Sequence, residues 1–178
     1  MSEQLTPTLP AAGERTLRPS LLQGAVVIVL FAVAGLGCGW LWHHLYDAPQ
    51  GIAYDGRWIG LDAEQVRRDF SGTASYVLIG FAAAVVLGLV SAVVLDRDEL
   101  VTLAAVAAGA VLASVLMAWL GSHLGHPDPD MVAAGAKDGT KIPGDLHVAG
   151  LSVYFVWPAG ALLSLLVVFF SLGRRQRD

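Results

Sequence analysis

The five histidines of the chain all stand at the ends of apolar runs, with carboxylates close by. His43 and His44 close one run. His123 and His126 follow another, with Asp128 and Asp130 just beyond, and His147 opens a third. Neutral imidazole and carboxylate are sound ligands for zinc or a similar divalent ion. The spacing His123-x-x-His126 sets two imidazoles one helical turn apart. If the run ends meet, His43, His44, His123, His126 and Asp128 are the candidate metal ligands. The plainer reading is that these are half-buried, amphipathic side chains at an interface, and that Pro127 and Pro129 stop a helix and lead the chain away. No spacing here is diagnostic of a metal, so the plainer reading is the expectation: no metal, no cofactor and no catalytic residue. Other chemistries lack their patterns. There is no H-E-x-x-H, no G-x-x-x-x-G-K-[ST] and no G-x-S-x-G in the sequence, which removes the usual metalloprotease, P-loop and serine-hydrolase signatures.

The elements that would hold these residues are long and apolar. Tyr76–Leu95 and Leu100–Leu120 are two runs with no ionisable side chain, separated only by Asp96-Arg97-Asp98-Glu99. Each has the roughly 20 residues a helix needs to cross hydrocarbon, and the pair reads as an antiparallel helical hairpin. A run before it, Leu21–Leu45, and one after it, Val148–Leu172, repeat the arrangement. The expected fold is an all-α membrane protein: a four-transmembrane-helix bundle with spans at 21–45, 76–95, 100–120 and 148–172. Residues 1–20 read as a polar, disordered cytoplasmic tail and 173–178 as a basic cytoplasmic tail. Composition agrees: 55% of the 178 residues are hydrophobic and 15% charged, well below the ~25% charge of a soluble domain. The net charge of -4, with no basic patch, argues against a nucleic-acid partner. The single Cys38 excludes an internal disulfide. Ala32-Val33-Ala34 resembles a signal cleavage site, but apolar character continues past it to full spanning length. Leu36-Gly37-Cys38 lacks the leucine that a lipoprotein acceptor would place three residues before the cysteine.

The segments between spans, 46–75 and 121–147, carry local signals of their own. Asp55-Gly56 between Gly51–Tyr54 and Arg57–Gly60 is a type I′ hairpin turn. Asp62-Ala63-Glu64-Gln65 matches a capping box for a short helix reaching Phe70 and ended by Ser71-Gly72. Met131–Ala136 reads as a second short helix, followed by turns at Asp138-Gly139 and Pro143-Gly144. Together they predict a small extracytoplasmic hairpin-and-helix cap.

Small residues recur at helical spacing: Gly35 and Gly39 in the first span; Gly80, Ala84, Gly88 and Ala92 in the second; Ala105, Gly109 and Ala113 in the third; Gly160 and Ser164 in the fourth. Such stripes let helices approach closely in lipid. They serve packing within the bundle, docking of a membrane partner or self-association, or both on different faces. Pro158, inside the fourth run, is expected to bend it. The spans hold no Asp, Glu, His, Lys or Arg at depth, which argues against a self-contained ion-coupled transporter.

Orientation follows from the basic residues that abut the spans: Arg15, Arg18, Arg97, Arg174, Arg175 and Arg177. They put both termini in the cytoplasm of a multi-pass plasma-membrane protein. Trp40, Trp42, Trp119 and Trp157 fall toward the opposite half, as an interfacial aromatic belt would.

The order of Ala53-Tyr54-Asp55-Gly56, Trp119-Leu120-Gly121 with Gly125, and Val156-Trp157-Pro158-Ala159 resembles a family of small actinobacterial four-span membrane proteins of uncharacterised function, some labelled transporter permeases. The resemblance covers 21–172 and brings no catalytic residues. It and the missing motifs lead to one expectation, a non-catalytic accessory or structural subunit of a larger envelope or transport complex. A metal-binding protein or enzyme using the His/Asp residues, and a small channel or permease component, are the alternatives.

Overall fold

Long apolar runs fold as helices in or beside lipid because a helix satisfies its own main-chain hydrogen bonds. The computed structural model describes residues 17–61, 64–94, 99–148 and 150–175. It contains α1 (Leu17–Leu45), α2 (Glu64–Val94), α3 (Glu99–Leu124) and α5 (Val156–Arg175) as long helices, with a short α4 (Pro129–Gly135) between the last two. Among the described residues, four helices are long and apolar enough to cross a membrane. Their outward faces are apolar too: Val33, Leu78, Val86 and Val93 are all exposed. Helices that are apolar all round suit a hydrocarbon surrounding.

The close helix pairs are not neighbours in sequence. α1 packs on α3 and α2 on α5, whereas α2 and α3 touch only lightly. Along the first seam Gly24 meets Val101 and Ala105, Gly35 meets Ala113, and Gly39 meets Met117. Along the second, Gly80 meets Trp157, Ala84 lies against Gly160, and Gly88 meets Ala161 and Ser164. Residue numbers rise together in both, so each seam joins two parallel helices. The central hairpin of the sequence is therefore a connection rather than a packing unit. Between the seams lies the core: Phe31, Trp42, Tyr76, Val106, Met117, Trp157 and Leu165.

One expectation about the helices is corrected. Ser71-Gly72 does not end a short helix, because α2 runs straight through it. Gly72 is instead a contact point. Its carbonyl accepts a 2.8 Å hydrogen bond from Trp42 Nε1, and a Cβ there would stand 3.0 Å from the Tyr46 ring. Asp62 and Ala63 of the expected capping box lie outside the described residues, as do 1–16, the 95–98 link, 149 and 176–178. Pro158 lies inside the fourth candidate span, Leu151–Ser171, close to where α5 begins. The fourth run begins as a 3₁₀ helix, Leu151–Phe155, and Pro158 is the third residue of α5. In a first turn an absent N–H costs least, so the local change is one of helix type.

The cap contains the expected hairpin and one strand more. β1 (Gln50–Tyr54) and β2 (Arg57–Gly60) pair antiparallel with Tyr54 opposite Arg57. The turn has Asp55 at φ 51° and Gly56 at φ 69°, both in the left-handed region that a type I′ turn requires. β3 (Lys141–Pro143) pairs antiparallel with the other edge of β1, giving the order β2-β1-β3. α4 starts at Pro129, two residues before the expected start. The Asp128 carboxylate accepts from Asp130 N at 3.0 Å, and proline suits a first helical position. Ala53, Ala133 and Ile142 form a small separate core, with Trp58 and Ala136 against it.

Candidate functional site

The residues that could do chemistry all lie at the capped end of the bundle, and the fold gives most of them structural duties. Asp128 caps α4. Asp130 Oδ1 accepts from Trp58 N at 3.1 Å, so α4 covers an N–H of the edge strand β2. Asp138 Oδ1 accepts from Asp55 N at 3.0 Å and braces the hairpin turn. His147 Nδ1 lies 3.2 Å from Asp145 Oδ1, with His147 open to solvent and Asp145 partly so, a geometry worth little in water. His126 is exposed.

Two of the remaining histidines stack on indole rings. His44 stacks on Trp40 at 5.5 Å between centroids and an interplanar angle of 3°. His123 stacks on Trp119 at 5.5 Å and 8°. His43 is half-buried in the last turn of α1, and its Nδ1 is buried with no hydrogen-bond partner. Among the described residues, no three His, Cys, Asp or Glu side chains come together as a metal site would require. His43, His44, His123, His126 and Asp128 share an end of the molecule but not a coordination sphere.

The small-residue positions are in contact with neighbouring helices. A Cβ on Gly35 would stand 2.6 Å from the Ala113 carbonyl oxygen, and one on Gly39 2.7 Å from that of Met117. On Gly80 it would stand 2.7 Å from Trp157 Nε1, and on Gly88 2.7 Å from the Ala161 carbonyl oxygen. Ala84 is fully buried and Ala92 packs at the margin of the core. The stripes are thus filled from within, and those faces are not open to a partner.

A buried polar-aromatic cluster is a feature that sequence reasoning misses. Tyr76 OH donates to the Ser114 carbonyl at 2.8 Å. Trp157 Nε1 points at Met117 Sδ, 3.3 Å away, and Trp42 stands edge-on to Tyr76 at 5.2 Å. Near the opposite end of the bundle, at the starts of α1 and α3, Gln23 Nε2 donates to Thr102 Oγ1 at 3.0 Å. The belt expected of four tryptophans is therefore corrected to two: Trp42 and Trp157 are fully buried, while Trp40 and Trp119 are exposed. The spacing Trp40-x-Trp42 carries the signal, since residues two apart on a helix face different ways.

These features define a mainly helical protein with four helices long and apolar enough to span a membrane, closed at one end by a small sheet-and-helix cap. No family model, no curated protein and no solved structure matches the chain.

Proposed function

We propose that the protein is a non-catalytic integral membrane subunit that docks a partner through its cap. The observation that carries this is apolar surface on the cap itself, beyond the ends of the spanning helices. Met131 is 77% exposed, and Tyr54, Ile59 and Leu61 are also open, on a unit small enough that its own core needs only alanines, Ile142 and the Trp58 ring. Methionine and tyrosine are enriched where proteins meet, and apolar side chains left open outside the spans favour an interaction role for the cap. The glycine stripes are occupied internally, so this surface is the better docking face.

In the proposed topology the cap is outside the cell, and both termini and the α2–α3 link are cytoplasmic. The arginines abutting the spans support this orientation. Single cysteines at Ser71 and at Gln176, in a Cys38→Ala background, separate the possibilities with an impermeant thiol reagent on intact cells. Labelling at Ser71 alone is expected, and labelling at Gln176 alone inverts the topology.

The docking proposal is tested by crosslinking cells and purifying the full chain in mild detergent. A stoichiometric membrane partner is expected, and Met131→Asp with Ile59→Asp should weaken its retention about tenfold, the loss of roughly 1.4 kcal/mol of binding. A lone monomer after crosslinking refutes the accessory role.

A further inference from the structure

The chain contains one six-residue pattern twice. Trp40-Leu41-Trp42-His43-His44-Leu45 and Trp119-Leu120-Gly121-Ser122-His123-Leu124 are both W-L-x-x-H-L. Each copy closes a long apolar helix, α1 or α3. In each, the imidazole lies flat on the indole one turn earlier, at the same 5.5 Å and nearly the same angle. The two helices are parallel partners in register here: Gly39 lies against Met117 and Leu120, and Gly121 against Trp42. The two stacks therefore stand at one level of the bundle. Trp40 is 57% exposed and Trp119 55%, whereas Trp42, Tyr76 and Trp157 nearby are buried. Two rigid indole–imidazole pairs thus face outward where the apolar helices give way to the cap.

We infer that the two stacks are equivalent binding sites for phospholipid headgroups. The indole lies at the acyl boundary, where its apolar body and polar N–H are both accommodated. The imidazole, four residues and about 6 Å further toward the cap, donates an N–H to the lipid phosphodiester. Charge selects the headgroup. The segments 46–75 and 121–147 hold nine carboxylates against five basic side chains, a field that disfavours an anionic headgroup. A zwitterionic lipid of the ethanolamine or choline class places its phosphate on the imidazole and its ammonium toward the carboxylates. The inference rests on the helices crossing a membrane and is independent of the partner on the cap.

Native mass spectrometry of the full chain, released from mixed ethanolamine and glycerol phospholipids, tests it. Two retained ethanolamine lipids are expected for the unaltered protein. Trp119→Ala with His123→Ala should retain one, and the same changes at Trp40 and His44 in addition should retain none. His44→Phe with His123→Phe keeps the ring stacks but removes the N–H donors. It should weaken retention about tenfold, the loss of one hydrogen bond of roughly 1.4 kcal/mol at each site, even if the alanine variants fold poorly. Unchanged retention in the phenylalanine variant overturns the inference. So does preferential retention of the glycerol lipid, or displacement of the bound lipids by millimolar inorganic phosphate.

Discussion

At Gly35, in the α1–α3 seam, glycine meets backbone, and at Gly80, in the α2–α5 seam, glycine meets a tryptophan ring. Gly35 faces the Ala113 carbonyl and Cα, and Gly39 the Met117 carbonyl and the Leu120 Cβ. Gly80 instead makes room for Trp157, whose ring also stands edge-on to Phe31 at 6.3 Å and points its N–H at Met117. The contact at Gly35 is a fit between two main chains. The contact at Gly80 is a socket for one side chain that touches α1, α2 and α3 at once. Equal glycine spacing in the sequence thus hides two different mechanical situations.

The largest effect should come from emptying the socket. Trp157→Ala removes a fully buried ring and should cost about 3–5 kcal/mol, read as a lower unfolding midpoint in detergent. Next is Gly35→Leu, expected to cost about 3 kcal/mol through overpacking. Because the collision is with the Ala113 main chain, Ala113→Gly should not rescue it. Rescue would show that the seam can part, and would erase the distinction. Gly80→Ala sharpens it from the other side. Alone it should cost about 1–3 kcal/mol, but in a Trp157→Ala background most of that loss should vanish, giving a coupling of about 1–2 kcal/mol. Additive losses would mean that Gly80 yields to backbone, as Gly35 does. The smallest change is in the cap. Gly56→Ala places a Cβ at φ 69° and should cost about 1 kcal/mol. Hydrogen exchange should quicken in β1 and β2 while the midpoint of the helical bundle stays put.

The four long helices were legible in the sequence because uninterrupted apolar length is a strong signal, and the hairpin turn because Asp55-Gly56 has few alternative uses. Helix pairing was not legible. A small-residue stripe says that something approaches closely, but not which helix does so. Gly72 misleads for a related reason: a glycine that stops a helix and one that admits a tyrosine ring look alike until Tyr46 is placed. β3 is three residues with no periodicity, and only its partner β1 makes it a strand. At the candidate site, the residue types were legible as ligand-capable. What the sequence could not reveal is that Asp128, Asp130 and Asp138 already hold main-chain N–H groups, and that His44 and His123 lie on indoles.

The pairing of β1 with β3, through Gly51 opposite Ile142, also sets a timetable. β1 and β2 leave the ribosome well before β3, and β3 reaches them only after α3 and the segment following it have been made. Until that moment one edge of β1 is unpaired, an invitation to foreign strands and to proteases. A chain halted after α2 displays that open edge, and a finished chain hides it. Closure by a three-residue strand therefore completes the cap only when the chain beyond α3 is in place.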